Sequence, residues 1–398
     1  MLAGYDIVCF SPNPWQALWR NRHQIMSRLA RQNRVLFVEP APYLRRVLAD
    51  LSRRGPAAVA SPSLVSPLPN LWVYRAPGYA AVSGRPPLAD LTFALRRRHL
   101  RQTLRRLGFD RPLLWVFQYN VGEMVGHLDE RLRIYHAVDE YAAYELDVPP
   151  AQEEARRAHI RALEADLIAR MDLVFVASEA LYESKRPLHP HVVLVPNGAD
   201  YEHFARPGRP PATMASLPRP RLVFAGAINE KIDLALLAEV AARRPDWQVV
   251  LIGPVTLRRP APALVRLQGL TNVHFLGEQP PTDLPAFLHA GDVCLMPYVR
   301  NEWTRNISPL KLYEYLATGL PIVATPIPAV APFADLVFVA ADPEGTMAAI
   351  VQALADDSPE RRRRQQEVAR QHTWDNRLER MSAAIMERLN VGTFTSYQ

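Results

Sequence analysis

The chain is poor in the residues that build cross-links and metal centres. Cys9 and Cys294 are the two thiols in 398 residues. Each lies in an apolar, strand-like run, so we read both as small buried hydrophobes of a reducing compartment, with no disulfide framework. There is no Asp-x-Asp run and no His or Cys cluster at ligand spacing, so no metal site and no cofactor are expected. No strand is followed by Gly-x-Gly-x-x-Gly, which argues against a dinucleotide oxidoreductase. The most apolar long stretch, Leu320 to Ala341, is broken by prolines and Asp335 and does not read as a membrane span. The N-terminus runs straight into a strand pattern, so no signal peptide is expected.

Lysine is scarce too, at positions 185, 231 and 311 alone, and arginine supplies the remaining positive charge. Residues 1–120 hold 18 Arg against 5 acidic residues, a net +13, which leaves −6 on the other 278 and +7 overall. Six of these arginines fall within Arg96 to Arg106, where Leu95, Leu100, Leu104 and Leu107 recur at helical spacing. This basic helix is either a solvated face of an Arg-rich protein or a contact for an anionic membrane surface. Nucleic acid is not the expected partner, since no recognised binding motif accompanies the charge.

At 398 residues the chain suits two domains, each with its own core. Short apolar runs at 6–10, 35–38, 113–117, 133–138, 173–177 and 192–195 alternate with loops or helical stretches such as 15–31 and 151–170. The pattern restarts at 222–225, 249–252, 273–276, 293–296, 322–324 and 337–339. Buried strands separated by helices predict an α/β fold of two Rossmann-like domains with parallel sheets, whose ligands sit at the carboxyl ends of the strands. We place the first domain at 1–205, a Pro-rich linker at 206–220, the second domain at 221–373 and a C-terminal helix at 374–398.

The most informative segment is Ser308-Pro-Leu-Lys-Leu-Tyr-Glu-Tyr-Leu-Ala-Thr-Gly-Leu-Pro-Ile-Val-Ala-Thr325. Ser308 suits an N-cap, Pro309 the first helical position, and Gly319 the left-handed residue past the end. The helix start near Leu310 and Lys311 offers a positive pole to a phosphate, and Glu314 follows one turn on, where a carboxylate can accept two ribose hydroxyls. This segment resembles the donor-binding helix of retaining GT-B glycosyltransferases, whose pattern is Glu-x7-Glu followed by Ala-x-Gly-x-Pro. Glu314, Ala317, Gly319 and Pro321 match in order, and Asn306 stands where the first Glu belongs. The form is most similar to the branch with teichuronic-acid-type enzymes of bacterial surface polysaccharide synthesis.

The resemblance implies two domains facing across a cleft and a C-terminal helix that crosses back onto the first. It implies a UDP- or GDP-sugar donor and a glycan or lipid-linked acceptor. Transfer would be retaining and metal-independent, at the inner face of a cell membrane. Donor contacts fall on Gly226, Lys231, Asn306, Ser308, Pro309, Leu310, Lys311 and Glu314. The family's Gly-Arg-x4-Lys turn is altered here, with Ala227 at the Arg position and Lys231 one residue early. On the acceptor side, Trp15, Arg20, Arg22 and His23 follow the first strand, and His136 and Asp139 lie in Tyr135-His-Ala-Val-Asp-Glu-Tyr141. Arg20, Arg22 and His23 could meet an anionic acceptor, or could belong to a Trp-anchored core helix. Asp139, Lys311 and Glu314 are the candidate catalytic groups. A nucleotide-sugar 2-epimerase, or a non-catalytic sugar-nucleotide-binding protein, would share this outline.

Overall fold

A computed structural model describes residues 1–55, 64–84, 86–144 and 148–394. The chain forms two compact units, Met1–Val195 with Leu378–Gln398, and Pro196–Arg377.

The first unit is an eight-stranded sheet. Its strands are β1 (Asp6–Phe10), β2 (Arg34–Val38), β3 (Leu64–Leu68), β4 (Leu71–Tyr74), β5 (Leu113–Val116), β6 (Leu132–Ala137), β7 (Leu173–Val176) and β8 (Val192–Leu194), in the order β3-β4-β2-β1-β5-β6-β7-β8. All neighbours pair in parallel except β3 and β4. Every residue of β5 and β7 is buried, as expected of parallel strands covered on both faces. Val8, Phe10, Leu36, Leu114, Tyr135 and Val174 share one core with Leu100, Leu104, Leu167 and Ile168 from two covering helices. At the other end of the chain, Ser382 Oγ accepts from the Leu2 N–H at 2.9 Å, which ties the C-terminal helix Trp374–Phe394 to the first strand's approach.

The second unit is a six-stranded parallel sheet of β9 (Arg221–Ala225), β10 (Gln248–Ile252), β11 (Val273–Gly277), β12 (Val293–Met296), β13 (Ile322–Ala324) and β14 (Val337–Val339), ordered β11-β10-β9-β12-β13-β14. The chain order reverses direction between β9 and β12. Open α/β sheets place ligands at such a switch point, beyond the carboxyl ends of the strands.

Several elements differ from the sequence expectation. The antiparallel pair β3–β4 was not foreseen, because Pro67 and Pro69 interrupt its pattern; an edge strand tolerates proline since its outer N–H groups face away from the ladder. The helix expected over 15–31 is α1 (Asn21–Leu29), and residues before it form turns in which the Trp15 N–H donates to Glu39 Oε1 at 2.8 Å. The Pro-rich stretch at 206–220 lies within the second unit. Its short helix Ala212–Ala215 buries Met214, and its Leu217 carbonyl accepts from the Arg221 guanidinium. The unit boundaries therefore fall at 195/196 and 377/378.

Two further helices shape the surface of the first unit: α2 (Leu44–Arg54) and α3 (Leu88–Arg106). On α3 the foreseen apolar residues Leu100 and Leu104 are spent on the core. Arg96 does not join a basic outer face. It is buried, donates to the Ala80 and Ala81 carbonyls at 3.2 Å and pairs with Glu123 at 3.0 Å.

Candidate functional site

In the second unit the loops after β9 and β12 meet the start of the nine-residue helix Leu310–Thr318. Ile232 bridges Tyr298, and the Asp233 N–H donates to the Pro297 carbonyl at 2.7 Å. The helix is fixed to the sheet from inside, where the fully buried Tyr315 hydroxyl accepts from the Ala225 N–H at 2.9 Å. Its end is set by Gly319 at φ 74°, the left-handed conformation that the sequence predicts there.

This anchoring brings Lys311 across the first turn after β9. Its Nζ lies 5.0 Å from the Phe224 ring centroid, and a β-carbon on Gly226 would overlap the Lys311 amine. Gly226 itself has φ 146°, and a β-carbon on Gly253, at φ 135°, would overlap the Gly226 carbonyl oxygen. Two glycines that each follow a strand therefore let two backbone turns and one lysine stack without side chains between them. Glu314 is half-buried one turn further on; burial pushes its carboxyl up to about 7, and the Lys311 charge holds it lower than burial alone would. A cation, the start of a helix and a carboxylate are thus gathered within two turns of chain. The first amides of an α-helix have no acceptor within it, so this end also favours an anion.

The other residues expected on the donor side are held by neighbours within the second unit. Lys231 lies with its Nζ 4.9 Å from the Trp303 ring centroid. Asn306 is buried and turns back, its Nδ2 donating to the Glu302 carbonyl at 2.7 Å. Ser308 does not cap the helix, whose N-cap residue is Pro309; its Oγ accepts from the Asn197 N–H at 3.2 Å, and its carbonyl accepts from Asn197 Nδ2 at 2.5 Å. Asn197 belongs to Pro196-Asn-Gly-Ala-Asp200, a turn pinned in the same unit by Arg377 Nε donating to the Asn197 carbonyl at 3.2 Å. Sequence reasoning missed Phe224, Gly253, Trp303 and the bracing role of Asn197. The one available signal was the repeated glycine just after a strand, at Ala225-Gly226 and Ile252-Gly253.

The residues expected on the acceptor side lie in the first unit: Trp15, Arg20, Arg22 and His23 follow β1, His136 is within β6, and Asp139 follows it. Trp15, His23 and His136 are buried inside the first unit. His23 is fully buried against Trp15 (5.3 Å), Trp19 (5.8 Å) and Phe37 (5.7 Å), and its Nδ1 accepts from the Arg20 N–H at 3.1 Å. His136 sits 4.9 Å from Phe117 and 5.7 Å from Phe175, and burial lowers its pKa to about 3, so it is neutral. Asp139 is half-buried and accepts from the Tyr144 hydroxyl at 2.7 Å. Its neighbour Glu140 pairs with the buried Lys185 at 2.9 Å; Lys185 also pairs with Glu164 at 2.7 Å, which accepts from the Tyr135 hydroxyl. The candidates therefore fall into two groups, one on each unit.

Residues 219–356 match the family model described as glycosyl transferases group 1. A curated relative, the teichuronic acid biosynthesis glycosyltransferase named TuaH of Bacillus subtilis, is 31% identical over 201 residues. That match covers 49% of this chain, which spans about half the length of the relative. Among solved structures, the sucrose-phosphate synthase of Thermosynechococcus elongatus superposes with a TM-score of 0.72 at 17% identity, over 98% of this chain and 100% of that one. Anabaena HepE in complex with UDP-glucose gives 0.63 at 15% identity, over 96% and 100%. An E. coli trehalose-6-phosphate protein bound with UDP-2-fluoro glucose gives 0.65 at 13%, over 96% and 99%. The chain has the GT-B fold, and within its second unit residues 219–356 are similar to the glycosyl transferases group 1 family.

Proposed function

We propose that the chain transfers a glycosyl group from a nucleoside diphosphate sugar to a hydroxyl of a glycan or lipid-linked acceptor in surface polysaccharide synthesis, with retention and without a divalent metal. The observation that carries this reading is the Lys311 amine laid over Gly226 at the start of a helix, with Glu314 one turn further on. When the bond between the sugar and the diphosphate breaks, negative charge grows on the departing oxygen. Lys311 and the helix start meet that charge; ionised Glu314 accepts the ribose hydroxyls. The acceptor oxygen bonds to the sugar carbon, and its proton passes to the departing phosphate oxygen. Asp139 positions the acceptor or the sugar. The Lys311 amine and the helix start supply the positive charge that a metal would otherwise provide, which supports the metal-independent reading. The uridine nucleotides bound in structural neighbours favour UDP over GDP.

The test is product analysis with a panel of UDP- and GDP-sugars, with and without chelator and acceptor. Transfer to an acceptor that survives chelation is expected. Sugar altered by donor alone would make the chain an epimerase, and complete loss in chelator restored by metal would overturn the metal-free part.

We infer further that the first unit seats on an anionic membrane surface, through a different element from the one the sequence suggests. Among the described residues 17 large hydrophobic side chains are exposed, and 8 lie between Tyr43 and Leu91. Leu48 and Leu51 come from α2 and Tyr43 from the residue before it, beside exposed Arg45, Arg46 and Arg53; Tyr79 comes from the turn before α3, and Leu88 and Leu91 from its start. These pieces are joined, since the Leu44 N–H donates to the Val82 carbonyl and Arg96 clamps Ala80 and Ala81. Apolar side chains rimmed by arginine match the boundary between acyl chains and anionic headgroups. No helix among the described residues is long and apolar enough to cross a membrane. Co-sedimentation with anionic vesicles, weakened by salt and by Leu48→Glu with Leu51→Glu, is the expected result; equal binding to neutral vesicles, or none, would remove this surface.

A further inference from the structure

We propose that Arg22, with Arg20, forms a phosphoryl-binding site in the first unit, so that the acceptor carries a phosphate or diphosphate group. Naming this anion as the acceptor's rests on the glycosyl-transfer reading; the anion site itself does not.

Positive charge is concentrated at the start of α1. α1 opens with Arg20 at the N-cap, and Arg22 and His23 within the first turn, with no acidic residue there. The N-terminal end of a helix already carries about half a positive charge, so cations are the wrong sign for helix stability. Solvent does not relieve this, because Arg22 is 4% exposed. Its Nη1 donates to Asn13 Oδ1, its guanidinium stands 5.9 Å from the Phe117 ring centroid, and its Nε has no acceptor. Arg20 Nε is likewise buried without a partner. Burial pushes the Arg22 pKa below the ordinary guanidinium value.

Two other buried cations of this unit show what is missing. Lys185 is held by Glu140 and Glu164, and Arg96 by Glu123. Among the described residues no carboxylate pairs with Arg22. The tyrosines that act on it electrostatically, Tyr141 and Tyr144, use their own hydroxyls on the Phe117 carbonyl and on Asp139. A buried charge with no counter-ion is costly, and a protein keeps one where a ligand supplies the opposite charge. The guanidinium fork suits the paired oxygens of a phosphoryl group. Tyr144, bonded to Asp139 and within electrostatic reach of both arginines, links this anion site to a carboxylate able to accept a sugar hydroxyl. A phosphorylated sugar presents that pair of groups.

The probe is pyrophosphate, titrated at constant ionic strength into the full chain and into Arg22→Met, Arg22→Lys and Lys311→Ala, with Tm and tryptophan fluorescence as readouts. Expected is saturable stabilisation of the wild type, kept in Lys311→Ala, weakened about tenfold or more in Arg22→Met and partly restored in Arg22→Lys. Without the anion, Arg22→Met is expected to be as stable as the wild type or more so, because it removes an uncompensated charge. A response lost in Lys311→Ala and kept in Arg22→Met would overturn this site while leaving the donor reading intact. No wild-type response, or an Arg22→Met chain that loses stability without anion, would make Arg22 structural; should Arg22→Met not fold, Asn13→Ala with Arg22→Lys carries the same test. Farnesyl diphosphate binding more tightly than glucose 1-phosphate would assign the phosphoryl group to a lipid carrier, and the reverse order to a soluble sugar phosphate.

Discussion

Two helix starts, one on each unit, carry cations just beyond a strand, and they are built in opposite ways. At Leu310–Thr318 the cation is a lysine lying over a glycine and a phenylalanine ring, with a carboxylate in the next turn. At Asn21–Leu29 it is an arginine sunk beneath Trp-anchored turns with an asparagine for company. The first arrangement is shaped by absent side chains, since Gly226 and Gly253 make the space. The second is shaped by large ones, with Trp15, His23 and Phe37 packed under the loop. A recess made by glycines can admit a diphosphate as it stands. A recess made by aromatic packing holds its charged group in place and leaves the counter-ion to be supplied.

The comparison is broken most severely by removing a counter-ion where one exists. Lys185→Met leaves Glu140 and Glu164 buried together, and should cost about 3–5 kcal/mol at pH 7 in urea unfolding. Because burial already raises the Glu164 pKa, the loss should shrink as pH falls and the carboxyls take up protons. An effect no larger than that of a surface pair would show that these charges are already relieved by solvent.

Gly226→Ala tests the other helix start. It forces an alanine into φ 146° and against the Lys311 amine, at a cost of roughly 1–3 kcal/mol in stability. Nucleotide-sugar affinity should fall with it, because Lys311 must move. Full donor affinity in the folded variant would mean that the stack on Gly226 is incidental.

Glu314 sharpens the contrast through pH. Its folded pKa, about 7, lies above the ordinary 4.5, so the fold favours the protonated form. That contribution is present at low pH and is lost as pH rises through about 7. At 1.36 kcal/mol per unit it amounts to at most roughly 3–4 kcal/mol. Glu314→Gln should flatten the decline in wild-type stability between pH 5 and 8, and a parallel decline in the variant would place the titrating group elsewhere. Donor affinity should rise over the same range in the wild type, as the carboxylate ionises.

The smallest effect on folding is expected at the exposed leucines of α2. Leu48→Glu and Leu51→Glu should leave Tm within a degree or two, since surface changes away from special features usually stay within about 0.5 kcal/mol. A large fall in Tm would show that these residues are packed in solution.

The helix Leu310–Thr318 was legible because local rules agreed: an apolar face, a terminal glycine and a following proline all point to one element. Strands β5, β7, β9 and β12 were legible for the same reason, as short apolar runs with no polar interruption. What escaped was set by distant partners. Ser308 has the chemistry of an N-cap, yet Asn197, 111 positions away, takes its hydroxyl and carbonyl. Trp15 looks helical until Glu39 claims its N–H from across the sheet. Arg96 has the look of a surface charge within a run of arginines, but the Ala80 and Ala81 carbonyls draw it inward. Arg22 shows the limit most clearly, since the sequence displays its charge and hides its burial.

In the function proposed here, the second unit holds a nucleoside diphosphate sugar at Lys311 and Glu314. Isothermal titration of UDP-glucose into the wild type and Glu314→Gln at pH 8 tests it most directly. Expected is saturable one-site binding by the wild type and a loss of roughly 1–3 kcal/mol, about 5- to 150-fold in affinity, in a variant of unchanged fold; equal affinity in both would remove Glu314 from the donor site.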